Sequence, residues 1–392
     1  MNAVDNKVAL REIAGGATNL SFVRLKLPHD MVQVRGLHPR LEPELHALLA
    51  DAACAEDGQV SVFLGSGTEG SVLLAPCVEQ AVELPIRLGE KVVCSQRLPG
   101  IRFTPAAQYG VTTEQDARSL LAWLRSSGTG RAVVLTDVST DSPLYAAAVQ
   151  ARQLGYLLTK NEPAAHLFHR FGESYADFFN QRSSKYKNQL RKKEKVFAAQ
   201  FGDAFEFREY RRPEDVLDFL SAAKEINRKT YQYRMFGESV DDDQHSAAAA
   251  RRAAMAGCFR SFVLWHNDVP LCFILGHQRG DGKFEHRQTG FDPEYRDASP
   301  GIFSNILLLQ RLYTVDTPRL MDFGSGDSDY KRLFSNESRT TASPVLLPRQ
   351  FGFMLAFGVY EVTAAANSAV VKWLERFGIK DWLKRRLRRG GG

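Results

Sequence analysis

The stretch that most constrains the fold is residues 284–334, FEHRQTGFDPEYRDASPGIFSNILLLQRLYTVDTPRLMDFGSGDSDYKRLF. It opens with strand-like alternation over 284–291 and breaks at Asp292-Pro293. Ser299-Pro300-Gly301 then starts a helix predicted over 302–313. Ser299 suits an N-cap, and Pro300 stands at the first helical position, where a missing N–H costs nothing. Ile306, Leu309, Leu312 and Tyr313 form its inward stripe. A second strand, 320–323, runs into Gly324-Ser325-Gly326-Asp327. A strand feeding a helix whose first turn offers bare backbone N–H groups is a place to hold an anion such as pyrophosphate.

The order of these pieces is more specific than any one of them. Strand, SPG and long helix are followed by Asp322-Phe323-Gly324, Gly326-Asp327, Tyr330-Lys331 and Phe334. Upstream lie Phe178-Phe179-Asn180-Gln181-Arg182-Ser183-Ser184-Lys185 and Tyr186-Lys187-Asn188-Gln189-Leu190-Arg191-Lys192-Lys193. Over residues 165–344 the chain resembles the C-terminal half of a GNAT-fold acyltransferase. In particular it resembles the CelD/BcsL-type acetyltransferases of cellulose and exopolysaccharide biosynthesis, relatives of the FemAB transferases. The common GNAT acyl-CoA signature, Q/R-x-x-G-x-G/A, is missing, and SPG occupies its place, as is usual in this subgroup.

The resemblance implies an α/β (α+β) chain with a GNAT-like mixed sheet flanked by helices, as two tandem lobes plus a helical tail. The boundaries expected are 1–160 for a degenerate N-terminal lobe, 161–348 for the acyltransferase lobe, and 349–392 for a basic amphipathic tail. It further implies an N- or O-acyltransferase that moves an acyl group, acetyl first of all, from CoA to a hydroxyl or amine. The acceptor would be a saccharide, exopolysaccharide or cell-envelope precursor. A FemAB-like transferase using aminoacyl-tRNA, and a catalytically silent scaffold at a polysaccharide synthase, stay open beside it.

Composition sets the outer bounds. A chain of 392 residues suggests about two domains. Its 44% hydrophobic and 24% charged content is that of a soluble globular protein. The five cysteines, Cys54, Cys77, Cys94, Cys258 and Cys272, are scattered without a C-x-x-C pair, which favours reduced thiols over a disulfide framework or zinc site. Residues 1–16 lack the order of a signal peptide, so a cytoplasmic location is expected, with peripheral contact at the inner face of a membrane. No run of 18 uninterrupted apolar residues occurs, although 351–371 comes close and carries Glu361 and Asn367.

The net charge of +6 is concentrated. Residues 182–195 and residues 372–389 each carry +6, so the rest of the chain is acidic by six. That pattern is two local basic elements rather than a DNA-coating surface. Trp373, Phe377, Leu383 and Leu387 stand among the tail's cations, a composition suited to an anionic membrane surface or to a helix docked on the first lobe.

Strands are expected at 20–27, 60–64, 72–76, 81–84, 92–96, 101–104, 132–135 and 156–159, with helices at 43–53, 113–124 and 142–154. Within these, Gly65-Ser66-Gly67-Thr68-Glu69-Gly70 satisfies G-x-G-x-x-G. It lies between two strands, so it reads as a hairpin turn and not a dinucleotide fingerprint. Further on, strands are expected at 166–170, 205–210, 259–265 and 270–276, with a closing strand at 340–346. Helices are expected at 174–179, 184–200, 213–229 and 241–255.

Acyl transfer needs a clamped donor, stabilisation of the oxyanion and a proton acceptor. For the donor, acetyl-CoA or another acyl-CoA, the candidates are Ser299 with the N–H groups of Gly301, Ile302 and Phe303, and Arg191 on the basic helix with Lys185, Lys187, Lys192 and Lys193. For catalysis the candidates are Lys331, Asp322, Tyr330 and His286; the resemblance places Lys331 nearest the reacting centre. Period-two alternation would group His286 with Phe284 and Gln288, and Glu285 with Arg287 and Thr289. Tyr231 and Tyr233 would line an acceptor groove or pack in a core. No metal-ligand spacing and no Cys/His nucleophile pairing is present in the sequence, so direct attack on the thioester is expected.

Overall fold

A computed structural model describes residues 22–27, 60–66 and 72–376, apart from 90, 105–110, 127–129, 160–161, 231–232, 234–239, 241 and 281. The helix expected at 43–53, most of the Gly65–Gly70 turn, Tyr231 and the tail beyond Arg376 therefore lie outside the described residues.

In chain order the first strands are β1 (Phe22–Leu27), β2 (Val60–Ser66), β3 (Val72–Glu79), β4 (Val82–Leu88), β5 (Lys91–Leu98) and β6 (Gly100–Phe103). Then come α1 (Glu114–Ser126), β7 (Ala132–Leu135), β8 (Val138–Ser139), α2 (Pro143–Val149) and β9 (Tyr156–Leu158). The single helix expected at 142–154 breaks at Gln150, whose backbone leaves the helical region (φ −95°, ψ 1°), and resumes as a 3-10 turn. Next are β10 (Ala164–Arg170), α3 (Tyr175–Asn180), α4 (Ser184–Phe201), β11 (Phe205–Tyr210), α5 (Val216–Lys229) and α6 (Gln244–Met255). Then follow β12 (Ser261–His266), β13 (Val269–Gln278), β14 (Lys283–Phe291), α7 (Pro300–Thr314), β15 (Leu320–Ser325) and α8 (Asp329–Phe334). The last described elements are β16 (Glu337–Ala342), β17 (Val345–Pro348) and α9 (Phe351–Arg376). The one closing strand expected at 340–346 is thus two, broken around Pro344, which has no N–H to give a ladder.

These elements form two compact units, residues 1–66 with 163–341 and residues 67–162 with 342–392. In the first, β1 and β2 pair antiparallel, and the large mixed sheet runs β11–β12–β13–β14–β15–β10–β16. α5 and α6 bury one face against Val263 and Phe273, with Phe219, Ile226 and Ala253 at the contact. α3, α4 and α7 cover the other face, where Phe178, Leu190, Ile306 and Leu309 meet Phe262, Ile274, Phe284 and Met321. Two-sided burial explains why β13 is nearly all apolar. The β12–β13 turn has Asn267 and Asp268 both at positive φ (46° and 62°), as a tight two-residue hairpin requires.

In the second unit the sheet order is β3–β6–β7–β17–β9, beside a β4–β5 hairpin. β6 and β7 are parallel and joined by α1, and all four residues of β6 are paired, from Gly100↔Ala132 to Phe103↔Leu135. α9 belongs to this unit's core through Phe353 and Ala356, packed with Val82, Leu84 and Leu347.

Candidate active site

The site is made by a failure of pairing. β14 and β15 are parallel partners only at Lys283↔Leu320, Phe284↔Met321 and Glu285↔Asp322. Beyond these residues β14 continues to Phe291 on β13 alone, so the two strands part and open the sheet between them. On the other side of β14 the register shifts: Gly276 faces His286 but Leu275 faces Gln288, leaving Arg287 as an extra residue. The bulge overturns the simple alternation expected from sequence. Phe284 and His286 face α7, and so do Thr289 and Phe291, whereas Gln288 crosses to the α5 side with Glu285. Two glycines make the close packing possible. A Cβ on Gly276 would stand 2.4 Å from the Phe284 ring, and one on Gly290 would stand 2.6 Å from the Phe273 ring.

His286 sits where the strands part. It is buried, with Phe323 and Tyr330 rings at 5.6 and 6.0 Å, and its Nε2 has no hydrogen-bond partner. Ser304 Oγ and Asn305 Oδ1, on the first turns of α7, are also buried and unpartnered. Asn305 Nδ2 donates to Gly301 O at 2.8 Å, tying this pocket to the start of α7. Burial, helped by the charge of Lys331, lowers the His286 pKa to about 4, so the imidazole is neutral near pH 7. Burial pushes the Tyr330 phenol up to about 12, so it keeps its proton.

Lys331 and Asp322 have structural partners. The Lys331 ammonium donates to the carbonyls of Gly324, Ser325 and Gly326 at 3.3, 2.9 and 3.4 Å, closing the glycine turn. Gly324 and Gly326 take φ of 74° and 89°, which that turn requires. Asp322 accepts from the Gly324 N–H at 2.7 Å, contacts His166 Nε2 at 2.6 Å and faces Lys283 at 3.6 Å. Burial raises its pKa, but His166, Lys283 and the Gly324 N–H outweigh it and hold the carboxyl below the usual range. Glu285 is likewise held ionised, by Arg279 and Lys283 at 2.9 and 3.3 Å. His166 is not legible in the sequence: its partner is 156 residues away, and strand alternation alone says nothing of charge.

At the start of α7 the N-cap is not the one expected. Ser299 is left-handed (φ 57°, ψ 48°) because it also closes the 3-10 turn Pro293–Ala298, its N–H donating to Arg296 O. Its side chain therefore caps nothing; Ser299 Oγ accepts from Lys193 Nζ at 2.8 Å. The N–H groups of Ile302 and Phe303, expected to be bare, donate to the Ser299 carbonyl at 3.0 and 3.1 Å. The basic α4 lies against this helix, with Phe197 stacked on Phe303 at 4.0 Å. Arg191 stands 5.6 Å over the Phe179 ring. Sequence reasoning singled out Arg191 on α4, but the side chain that reaches the SPG turn is Lys193. Tyr233 is 38% exposed. Among the described residues no group of three or more His, Cys, Asp or Glu side chains is placed to hold a metal, and Cys77, Cys94, Cys258 and Cys272 are free thiols.

Residues 184–332 match the family model described as an acetyltransferase (GNAT) domain. No curated relative matches the chain. Among solved structures, a conserved protein of unknown function from Bacteroides thetaiotaomicron is similar at 11% identity and TM-score 0.48, covering 77% of this chain and 90% of its own. The C-terminal domain of a putative lysylphosphatidylglycerol synthetase from Agrobacterium fabrum is similar at 12% identity and TM-score 0.45, covering 82% and 95%. A tandem GNAT protein from the clavulanic acid biosynthesis pathway is similar at 12% identity and TM-score 0.47, covering 85% and 100%. At these identities and scores the three likenesses say nothing of activity or substrate. The sequence match spans α4 to the first residues of α8, the elements that build the opening between β14 and β15, and over those residues the chain is similar to the acetyltransferase (GNAT) domain family.

Proposed function

We propose that the protein transfers an acyl group, acetyl first of all, from CoA to a hydroxyl or amine of a saccharide or cell-envelope precursor. The observation that carries the reading is the parting of β14 and β15 after Glu285 and Asp322, with unpartnered His286 Nε2, Ser304 Oγ and Asn305 Oδ1 buried beside it. A thioester reaching into that opening would meet these groups away from bulk water. The donor's phosphates would lie at the Ser299–Gly301 turn, with Lys193 and the other cations of α4 supplying positive charge.

In the reaction the acceptor oxygen or nitrogen forms a bond to the thioester carbonyl carbon, and the C–S bond breaks. Tyr330, held protonated, is suited to return a proton to the leaving thiolate. Neutral His286 can accept a hydrogen bond from the acceptor at Nε2, orient it for attack and take its proton as the new bond forms; that proton then restores the phenol of Tyr330, which has given its own to the thiolate. Lys331 and Asp322 then serve the site by fixing the glycine turn and the last paired residues of β15.

The second unit supports a degenerate companion lobe. Its β6–α1–β7 repeats the parallel strand–helix–strand of β14–α7–β15, each pair flanked by antiparallel neighbours. The described β6 ends where its pairing ends, so nothing like the long free run of β14 accompanies it. The reading also places the protein in the cytoplasm, with its basic tail in peripheral contact with an anionic membrane.

Calorimetric titration with acetyl-CoA, beside a Gly301→Trp variant, tests the donor site. A Cβ at Gly301 meets only the Phe291 ring, at 3.4 Å, so the backbone tolerates the change while the indole covers the helix start. Micromolar binding lost in the variant is expected. Wild-type protein that is folded and binds neither acetyl-CoA nor longer acyl-CoAs would sink the reading and turn attention to aminoacyl-tRNA or a scaffold role.

A further inference from the structure

α9 has two apolar faces. One is spent on the protein: Phe353 and Ala356 are buried in the core of the second unit, Phe357 and Tyr360 pack against it, and Asn367 exchanges two hydrogen bonds with the backbone of Gly89, at 2.6 and 3.2 Å. At 3.6 residues per turn, Phe351, Leu355, Val362, Ala366 and Trp373 fall on the opposite side. They are open: Phe351 is 85% exposed, Val362 70%, Leu355 62% and Trp373 57%, with Met354 at the edge of the same stripe. Glu361, the one charged residue from 351 to 371, falls to the side of this stripe. The helix has 26 residues, about 39 Å of length at 1.5 Å per residue. From Phe351 to Val371, about 30 Å at 1.5 Å per residue, this face is a charge-free apolar strip, more than scattered surface hydrophobics.

We infer that the outer face of α9 is a docking surface for an anionic phospholipid bilayer, lying in the plane of the interface. The occupant is set by charge. Lys372 to Arg389 carries +6 directly after the stripe, with Trp373 at the junction, an apolar face followed by cations that matches acyl chains beneath anionic headgroups. The geometry is in-plane and not spanning. A spanning helix is apolar all round and free of its own protein, whereas α9 has one face in the core and its Asn367 bonded to Gly89. The inference stands independently of the acyl-transfer reading.

Flotation of the full-length protein with vesicles of phosphatidylcholine alone, and of phosphatidylcholine mixed with anionic phosphatidylglycerol, tests it. Wild type should partition onto the anionic vesicles and weaken in high salt. A Leu355→Glu/Val362→Glu variant should bind at least about tenfold less while keeping the wild-type thermal melt, since both residues are exposed. Three outcomes overturn the inference. One is wild type that ignores anionic vesicles; another is a folded variant that binds as well as wild type, which would leave the tail charge alone responsible. The third is concentration-dependent dimerisation in sedimentation that the variant abolishes, without vesicle binding, which would make a second copy the occupant.

Discussion

Asp322 and His166 meet at 2.6 Å on the last residue of β15 that still pairs with β14. The contact pins β15 to β10 at the point where the sheet opens, and Lys283 and the Gly324 N–H complete the shell around the carboxylate. The pair holds in place the point where β14 and β15 stop pairing.

Asp322→Asn should therefore destabilise the first unit by about 3 kcal/mol at pH 7, as expected when a buried carboxylate loses its hydrogen bonds and its nearby cation. Because the folded carboxyl is held below its unfolded value, the stabilisation is present above the unfolded pKa and lost as pH falls through the folded one. Urea unfolding at pH 7 and pH 3 checks this: the gap between wild type and variant should narrow at the lower pH. An equal gap at both would show that the loss is not electrostatic.

Three buried histidines of the same unit work in a different pH window. His169, His277 and His286 are lowered to about 4, 3 and 4, chiefly by burial, against about 6.5 for an unfolded histidine. Between those values the unfolded chain binds protons that the folded chain refuses, so stability rises with pH and is lost on acidification from about 6.5. Each site contributes up to about 1.4 kcal/mol per pH unit. The denaturant midpoint should drop steeply between pH 6.5 and 4.5, and His277→Phe should flatten part of that slope. A midpoint constant down to pH 4.5 would contradict neutral, buried imidazoles.

Lys331→Met removes the three hydrogen bonds that close the Gly324–Gly326 turn, at a cost of about 2 kcal/mol in stability. Well below its melting temperature the variant should bind acetyl-CoA within about twofold of wild type. Loss of more than about a hundredfold in turnover with an unchanged melt would instead place the ammonium at the reacting atoms.

Lys193→Ala should leave the fold intact and raise the acetyl-CoA Kd about tenfold, about 1.4 kcal/mol. The lysine reaches Ser299 Oγ at the start of α7 and is anchored to little else. Arg191→Ala, whose guanidinium rests on the Phe179 ring, should change the Kd less. The reverse ranking, read by calorimetry, would put the donor phosphates at the Arg191 end of the contact.

Local patterning carried the element order. The strand at 284–291, the Pro at the first position of α7, the Asn267-Asp268 turn and the amphipathic α5 are each decided within a few residues, and each is found. The resemblance rested on the order of short motifs, which a linear sequence displays directly. Tertiary structure decided what the linear pattern could not contain. The bulge at Arg287 depends on the partner strand β13, so the face of Gln288 was misread. The left-handed Ser299 depends on the 3-10 turn before it, and its bond to Lys193 depends on α4 packing beside α7. His166 found Asp322, and Lys331 found three carbonyls, only because the chain returned over long distances to one point. Propensity and period are properties of neighbours in sequence; ion pairs, strand ends and exposed faces belong to neighbours in space.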